Sequence, residues 1–90
     1  MDELFKALAD PTRRKILVIL KKKDMTVGEI GNNFRMTGAT LSHHLDVLKR
    51  ANLVIAQRKG QFIEYSLNTS VFEETVKMVM EVFGGKKGKK

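Results

Sequence analysis

The chain has 90 residues, with 17 Lys and Arg against 10 Asp and Glu for a formal net charge of +7, and it has no cysteine. That length supports one domain with one modest core, and the lack of cysteine excludes disulfides, thiolate catalysis and the commonest soft-metal ligands. Lys86, Lys87, Lys89 and Lys90 supply four of the net positive charges, so the body is only mildly basic and a nucleic-acid surface requires its remaining cations to cluster.

No apolar run approaches a membrane span, and Met1 to Asp10 lacks a basic segment followed by an apolar one. The expectation is a cytoplasmic protein without membrane insertion. Leu4, Phe5 and Leu8 at helical spacing predict a short first helix, too small to be stable alone. Asp10-Pro11 marks a restart, with Asp10 as cap and Pro11 at the first helical position. The second helix buries Ile16, Leu17 and Leu20, widened by Val18 or Ile19. Lys21, Lys22 and Lys23 complement the dipole at its end, a role preferred here to phosphate contact.

Asp24 and Met25 bridge to a third helix. Thr26 and Glu29 have the spacing of a capping box, and Ile30 and Phe34 form the apolar face. Gly31 suits a close crossing, expected with the first helix. Arg35-Met36-Thr37 reads as the short turn of a helix-turn-helix.

Thr37 can then cap a helix in which Leu41, Leu45 and Leu48 recur on one face. The opposite face carries Ala39, Thr40, His43 and Arg50, with Ser42 at its margin. His44 lies near the leucines, where packing and a hydrogen bond suit it better than base reading. Asp46 sits toward the rim, to repel a phosphate or to orient an arginine. Asn52 is a suitable αL residue to end the helix.

Leu53–Arg58 and Phe62–Leu67 read as a hairpin, turning at Lys59-Gly60, with Ile63, Tyr65 and Leu67 on its inner face. Its tip, Arg58 to Gln61, is polar and cationic, fit for a phosphate backbone or minor groove or simply for solvent. Thr69 or Ser70 caps a last helix, Val71 to Phe83. Phe72, Val76, Val79, Met80 and Phe83 fill one face of it, and Val71, Met78 and Val82 add apolar area beyond what a single-sided helix needs. Together with Leu4, Phe5 and Leu8, that surplus fits either a symmetric dimer or monomer core; the dimer is the expectation. The domain is therefore 1–83, mainly α with a two-stranded wing and about five helices, followed by a flexible basic tail, 84–90.

Three ordered motifs resemble the winged helix-turn-helix repressors of the ArsR type. They are Ala7 to Leu17, Ser42 to Leu48 with Ala51 to Val54, and Gly60 followed by Ile63, Tyr65 and Leu67. The resemblance implies that Gly38, Ala39, Thr40, Ser42 and His43 face the major groove of double-stranded DNA. It also implies that Arg58, Lys59 and Gln61 touch the backbone or minor groove, and that the first and last helices form a homodimer. Asn52 stands where many relatives have glycine. Metal-sensing members carry cysteines on the third helix or a His/Asp/Glu set on the last; this chain offers only Glu73, Glu74 and Glu81 there, a poor soft-metal site. The likeness is thus to the SdpR-like autorepressor branch, with no metal or other cofactor and with control by a protein partner or by its own abundance. The implied function is a homodimeric repressor on an inverted-repeat operator. A metal or small-molecule sensor and a protein-interaction module without DNA binding are the alternatives. An enzyme is not expected, because no histidine and carboxylate converge and no glycine loop is built to cradle phosphate.

Overall fold

In the computed structural model, which describes residues 2–84, the chain runs α1 (Asp2–Ala9), α2 (Pro11–Lys22), β1 (Met25–Thr26), α3 (Val27–Gly31), α4 (Gly38–Arg50), β2 (Val54–Lys59), β3 (Phe62–Leu67) and α5 (Thr69–Phe83). Local chemistry sets most of these boundaries. The Asp10 carboxylate accepts from the N–H groups of Thr12 at 2.7 Å and Arg13 at 3.2 Å, satisfying two orphan donors of α2. Thr26 and Glu29 close a reciprocal capping box at the start of α3. Thr37 caps α4 through Thr40 N–H at 3.1 Å. Asn52 leaves α4 with φ 62°, the left-handed geometry asparagine tolerates, and Gly60 takes φ 64° in the hairpin turn.

Four details differ from expectation. The wing is a three-stranded antiparallel sheet in the order β1-β3-β2, because Met25 and Thr26 pair with Tyr65 and Glu64. Two residues are too few to show strand alternation, and their partners lie far along the chain. The third helix stops at Gly31 rather than Phe34: Asn33 and Phe34 donate to Ile30 and Gly31, the tighter i→i−3 pattern, so the connector to α4 is longer than a three-residue turn. The neighbour crossing Gly31 is α4 and not α1; a Cβ there would sit 3.4 Å from Leu41 Cδ2. Finally, α5 is capped by Asn68, whose side chain accepts from Val71 N–H at 3.4 Å, so the helix begins two residues earlier.

The core gathers under α4. Leu41, Leu45, Val47 and Leu48 are buried against Ala7 from α1, Ile16, Leu17 and Leu20 from α2, Ile30 from α3, and Leu53 and Val54 beyond the helix. Strand register carries the same face onto the sheet: Val54, Ala56 and Arg58 oppose Leu67, Tyr65 and Ile63. Ile55, Gln57 and Lys59, opposite Ser66, Glu64 and Phe62, form the other face. Residues 85–90 of the expected tail lie outside the described residues.

Burial by itself would raise the Asp10 pKa. The backbone N–H groups of Arg13 and Thr12, followed by the positive field of Arg13, outweigh it and hold the carboxyl below its ordinary 3.8. A folded-state pKa below the unfolded one stabilises the native state above the unfolded value, and that contribution is lost as pH falls through the folded value. Asp10→Ala is expected to cost about 1 kcal/mol at pH 7 in urea unfolding. Asp10→Asn should retain most of the cap while flattening the acid limb of stability below about pH 4.

Candidate nucleic-acid interface

The buried leucines of α4 leave its N-terminal outer surface to solvent: Gly38, Ala39, Thr40, Ser42 and His43 are all exposed. None of the first four is large, so the helix backbone can approach a groove closely. The cap orders this end further, since the Thr37 hydroxyl donates to Thr40 Oγ1 at 3.0 Å while accepting from the Thr40 N–H. Thr40 Oγ1 thus serves as an acceptor for Thr37, and its own hydrogen is not used in that contact.

At the far end of α4 the carboxylate of Asp46 pairs with Arg50 at 3.0 Å, one turn apart and largely exposed. Asp46 thus orients an arginine, and Arg50 lies a full three turns from the helix start. The same carboxylate lies near Tyr65. Burial first, and Asp46 second, push the Tyr65 hydroxyl above its ordinary pKa of 10.0, so it stays un-ionised.

The wing cations separate by face. Lys59 reaches across the hairpin to Glu64 at 3.3 Å. Arg58 is exposed on the face shared with Ile63 and Tyr65 and has no ion pair among the described residues. Gln61 is exposed in the turn. Beside it Phe62 is 63% exposed, a large apolar side chain that the strand alternation placed on the outer face without marking it as special.

His44 is packed as expected, and its partner is a residue to which the sequence reading gave no role. Its Nδ1 lies 3.1 Å from Nη1 of Arg13, which is itself only 8% exposed. The signal was present in spacing. Arg13, Ile16, Leu17 and Leu20 follow i, i+3, i+4, i+7, and so do Leu41, His44, Leu45 and Leu48. Each stripe holds one polar residue, and the two meet.

Of the residues assigned to a dimer surface, Leu4, Leu8 and Phe72 are half-buried against the protomer's own core. Phe5, Val76, Val79, Met80 and Phe83 are exposed. Exposure climbs along α5, from half-buried Phe72 to Met80 at 58% and Phe83 at 81%. Thr75, whose hydroxyl donates to the Val71 carbonyl at 2.8 Å, is its one fully buried residue. Among the described residues no group of three or more His, Asp or Glu side chains is placed to hold a metal ion, and no helix is long and apolar enough to cross a membrane.

Residues 10–56, from the cap of α2 through the first half of β2, match the model of the bacterial regulatory proteins of the arsR family. The chain belongs to the ArsR family of bacterial regulatory proteins. It is 49% identical over 80 residues to the transcriptional repressor SdpR of Bacillus subtilis (strain 168), covering 89% of each chain. Among solved structures it resembles Rv0081 of M. tuberculosis, with TM-score 0.74, 35% identity and coverage of 90% of this chain and 82% of that one. NolR from Sinorhizobium fredii is similar too, with TM-score 0.73, 32% identity and coverage of 92% and 83%. Its relatives in the ArsR family are transcriptional regulators, not enzymes.

An exposed i,i+4 ion pair in the last turn of a helix adds little to stability. Asp46→Asn is expected to change it by no more than about 0.5 kcal/mol, measured by thermal unfolding.

Proposed function

We propose that the chain is a homodimeric, sequence-specific DNA-binding repressor acting on an inverted-repeat operator from the cytoplasm. The observation that carries this reading is the division of α4: Leu41, Leu45 and Leu48 are buried, while Gly38 to Thr40, Ser42 and His43 stand exposed at the N-terminal end of a capped helix. Thr40, Ser42 and His43 supply short donors and acceptors for base edges, and Ala39 can meet a thymine methyl. Arg58 is the principal wing contact to the phosphates, with Gln61 beside it. Lys59 contributes less, since Glu64 already holds it, and Arg50 orients from the helix end. The bare apolar face of α5, with Phe5 of α1, supports a two-fold dimer that sets the two recognition helices roughly 34 Å apart. An operator overlapping a promoter would then exclude polymerase.

Relief by a protein partner, or by falling abundance of the repressor, completes the proposal. The acidic residues of α5 have no histidine on their helix, and operator affinity is expected to be unchanged by zinc, nickel or copper. Tight stoichiometric metal binding that weakens operator binding would replace this reading with that of a sensor.

Selection from a random duplex library tests the whole proposal, with an inverted repeat as the expected product and no preference over random duplex as the result that sinks it. On the selected site, Ser42→Ala and His43→Ala should each weaken binding by about 1 to 3 kcal/mol while sparing random DNA. Arg58→Ala should weaken both and reduce the salt slope by about 1, with a smaller effect from Lys59→Ala. Met80→Glu should yield a folded monomer in sedimentation equilibrium, with operator binding reduced to the level of a single half-site.

A further inference from the structure

We infer that Arg13 and His44 are positioning residues: a buried guanidinium fixes the rotation of α4 relative to α1, and so the pose in which two recognition helices meet two half-sites. The inference rests on the DNA-reading function proposed above. Arg13 spends its donors on three targets. Its Nε donates to the Ala7 carbonyl at 3.1 Å, Nη2 to the Lys6 carbonyl at 2.8 Å and Nη1 to His44 Nδ1 at 3.1 Å. The first two acceptors are orphan carbonyls at the C-terminus of α1, where a cation is favoured by the helix dipole. The third lies on α4, immediately after His43 and one turn beyond Thr40. Asp10 fixes the base of the arginine by accepting from its backbone N–H at 3.2 Å.

The planarity of the guanidinium makes this more than packing. Its donors diverge at fixed angles, so α1 and α4 cannot rotate against each other without breaking a hydrogen bond between groups 8% and 9% exposed. The leucines of α4 set its depth by apolar contact, which is non-directional and tolerates small rotations. Arginine has no acceptor, so His44 accepts at Nδ1 and carries its hydrogen on Nε2. The helix at the other end of this tie, α1, exposes Phe5 on the surface assigned to the dimer. One side chain therefore links that surface to the reading face.

The test compares the wild-type chain with His44→Leu, His44→Asn and Arg13→Lys. His44→Leu keeps the bulk and removes the acceptor, His44→Asn places a carboxamide oxygen near the position of Nδ1, and Arg13→Lys keeps the charge and removes the fork. Binding is measured on the selected operator, on versions with one base pair added or removed between half-sites, and on scrambled duplex, at a temperature where melting curves show each variant folded. His44→Leu and Arg13→Lys are expected to lose about tenfold on the operator, within the range of one base contact. They should bind scrambled duplex as before and lose the preference for native spacing, and His44→Asn should restore that preference. Wild-type spacing preference and operator-to-scrambled ratio in His44→Leu would overturn the inference. If His44→Leu does not fold, nitrogen-15 NMR of the wild-type imidazole decides: hydrogen on Nε2 with Nδ1 as acceptor is expected, and hydrogen on Nδ1 overturns the tie. A wild-type chain that prefers no inverted repeat defeats the DNA-reading proposal instead, a result distinct from either of these.

Discussion

The guanidinium of Arg13 is the point at which three parts of the molecule are held in one frame. It is rooted in the first turn of α2, closes the open carbonyl end of α1 and grips the middle of α4. A short helix such as α1 has little stability of its own; it persists because its apolar residues dock on the core and its last carbonyls find donors. Arg14 extends the same service, donating to the Leu8 carbonyl at 2.7 Å. Three successive carbonyls of α1 thus end on two neighbouring arginines of α2, and the sharp Asp10-Pro11 junction is what brings those side chains back over the helix they follow.

What could be read from sequence divides by range. The caps at Asp10, Thr26 and Thr37, the αL exit at Asn52 and the turn at Gly60 are settled within a few residues, so residue type and spacing were enough to place them. The leucine stripe of α4 was legible for the same reason, and with it the exposed outer face. Strand β1 was not, because its only partners are Tyr65 and Glu64 on a strand that forms much later in the chain. The pairing of Arg13 with His44 spans a comparable gap: each appears in its own helix as a polar interruption of an apolar stripe, and only the tertiary fold supplies the reason for both. Gly31 illustrates the intermediate case, where a close crossing was evident from the missing side chain but the choice between α1 and α4 depended on how the helices pack.

The residues assigned to the proposed dimer show a similar limit. Periodicity marks which residues of α5 share a face, but it cannot apportion that face between the protomer and a partner. In the structure the apportioning runs along the helix axis. Phe72 and Val71 near the start pack on the core, and from Val76 onward the same stripe projects beyond it. The described residues extend 52 Å in one direction and little more than 20 Å in the others, as a helix leaving the body at one end requires. Burying side chains as large as Met80 and Phe83 is worth roughly 1.5 to 3 kcal/mol each, a gain the single protomer forgoes.

That unburied stripe and the buried arginine bear on one another. A dimer built only on the far half of α5 would hold two protomers together while leaving the angle of each α4 to its own packing. The first helix changes this, because Phe5 presents toward solvent while the carbonyls of the next two residues, Lys6 and Ala7, are fixed to Arg13. A partner contacting Phe5 would therefore press on a helix whose end is already tied to α4. In the proposed dimer, affinity would come from the apolar area of α5, and the register of the two α4 helices would be set through α1, where a directional contact rather than an oily one carries the orientation.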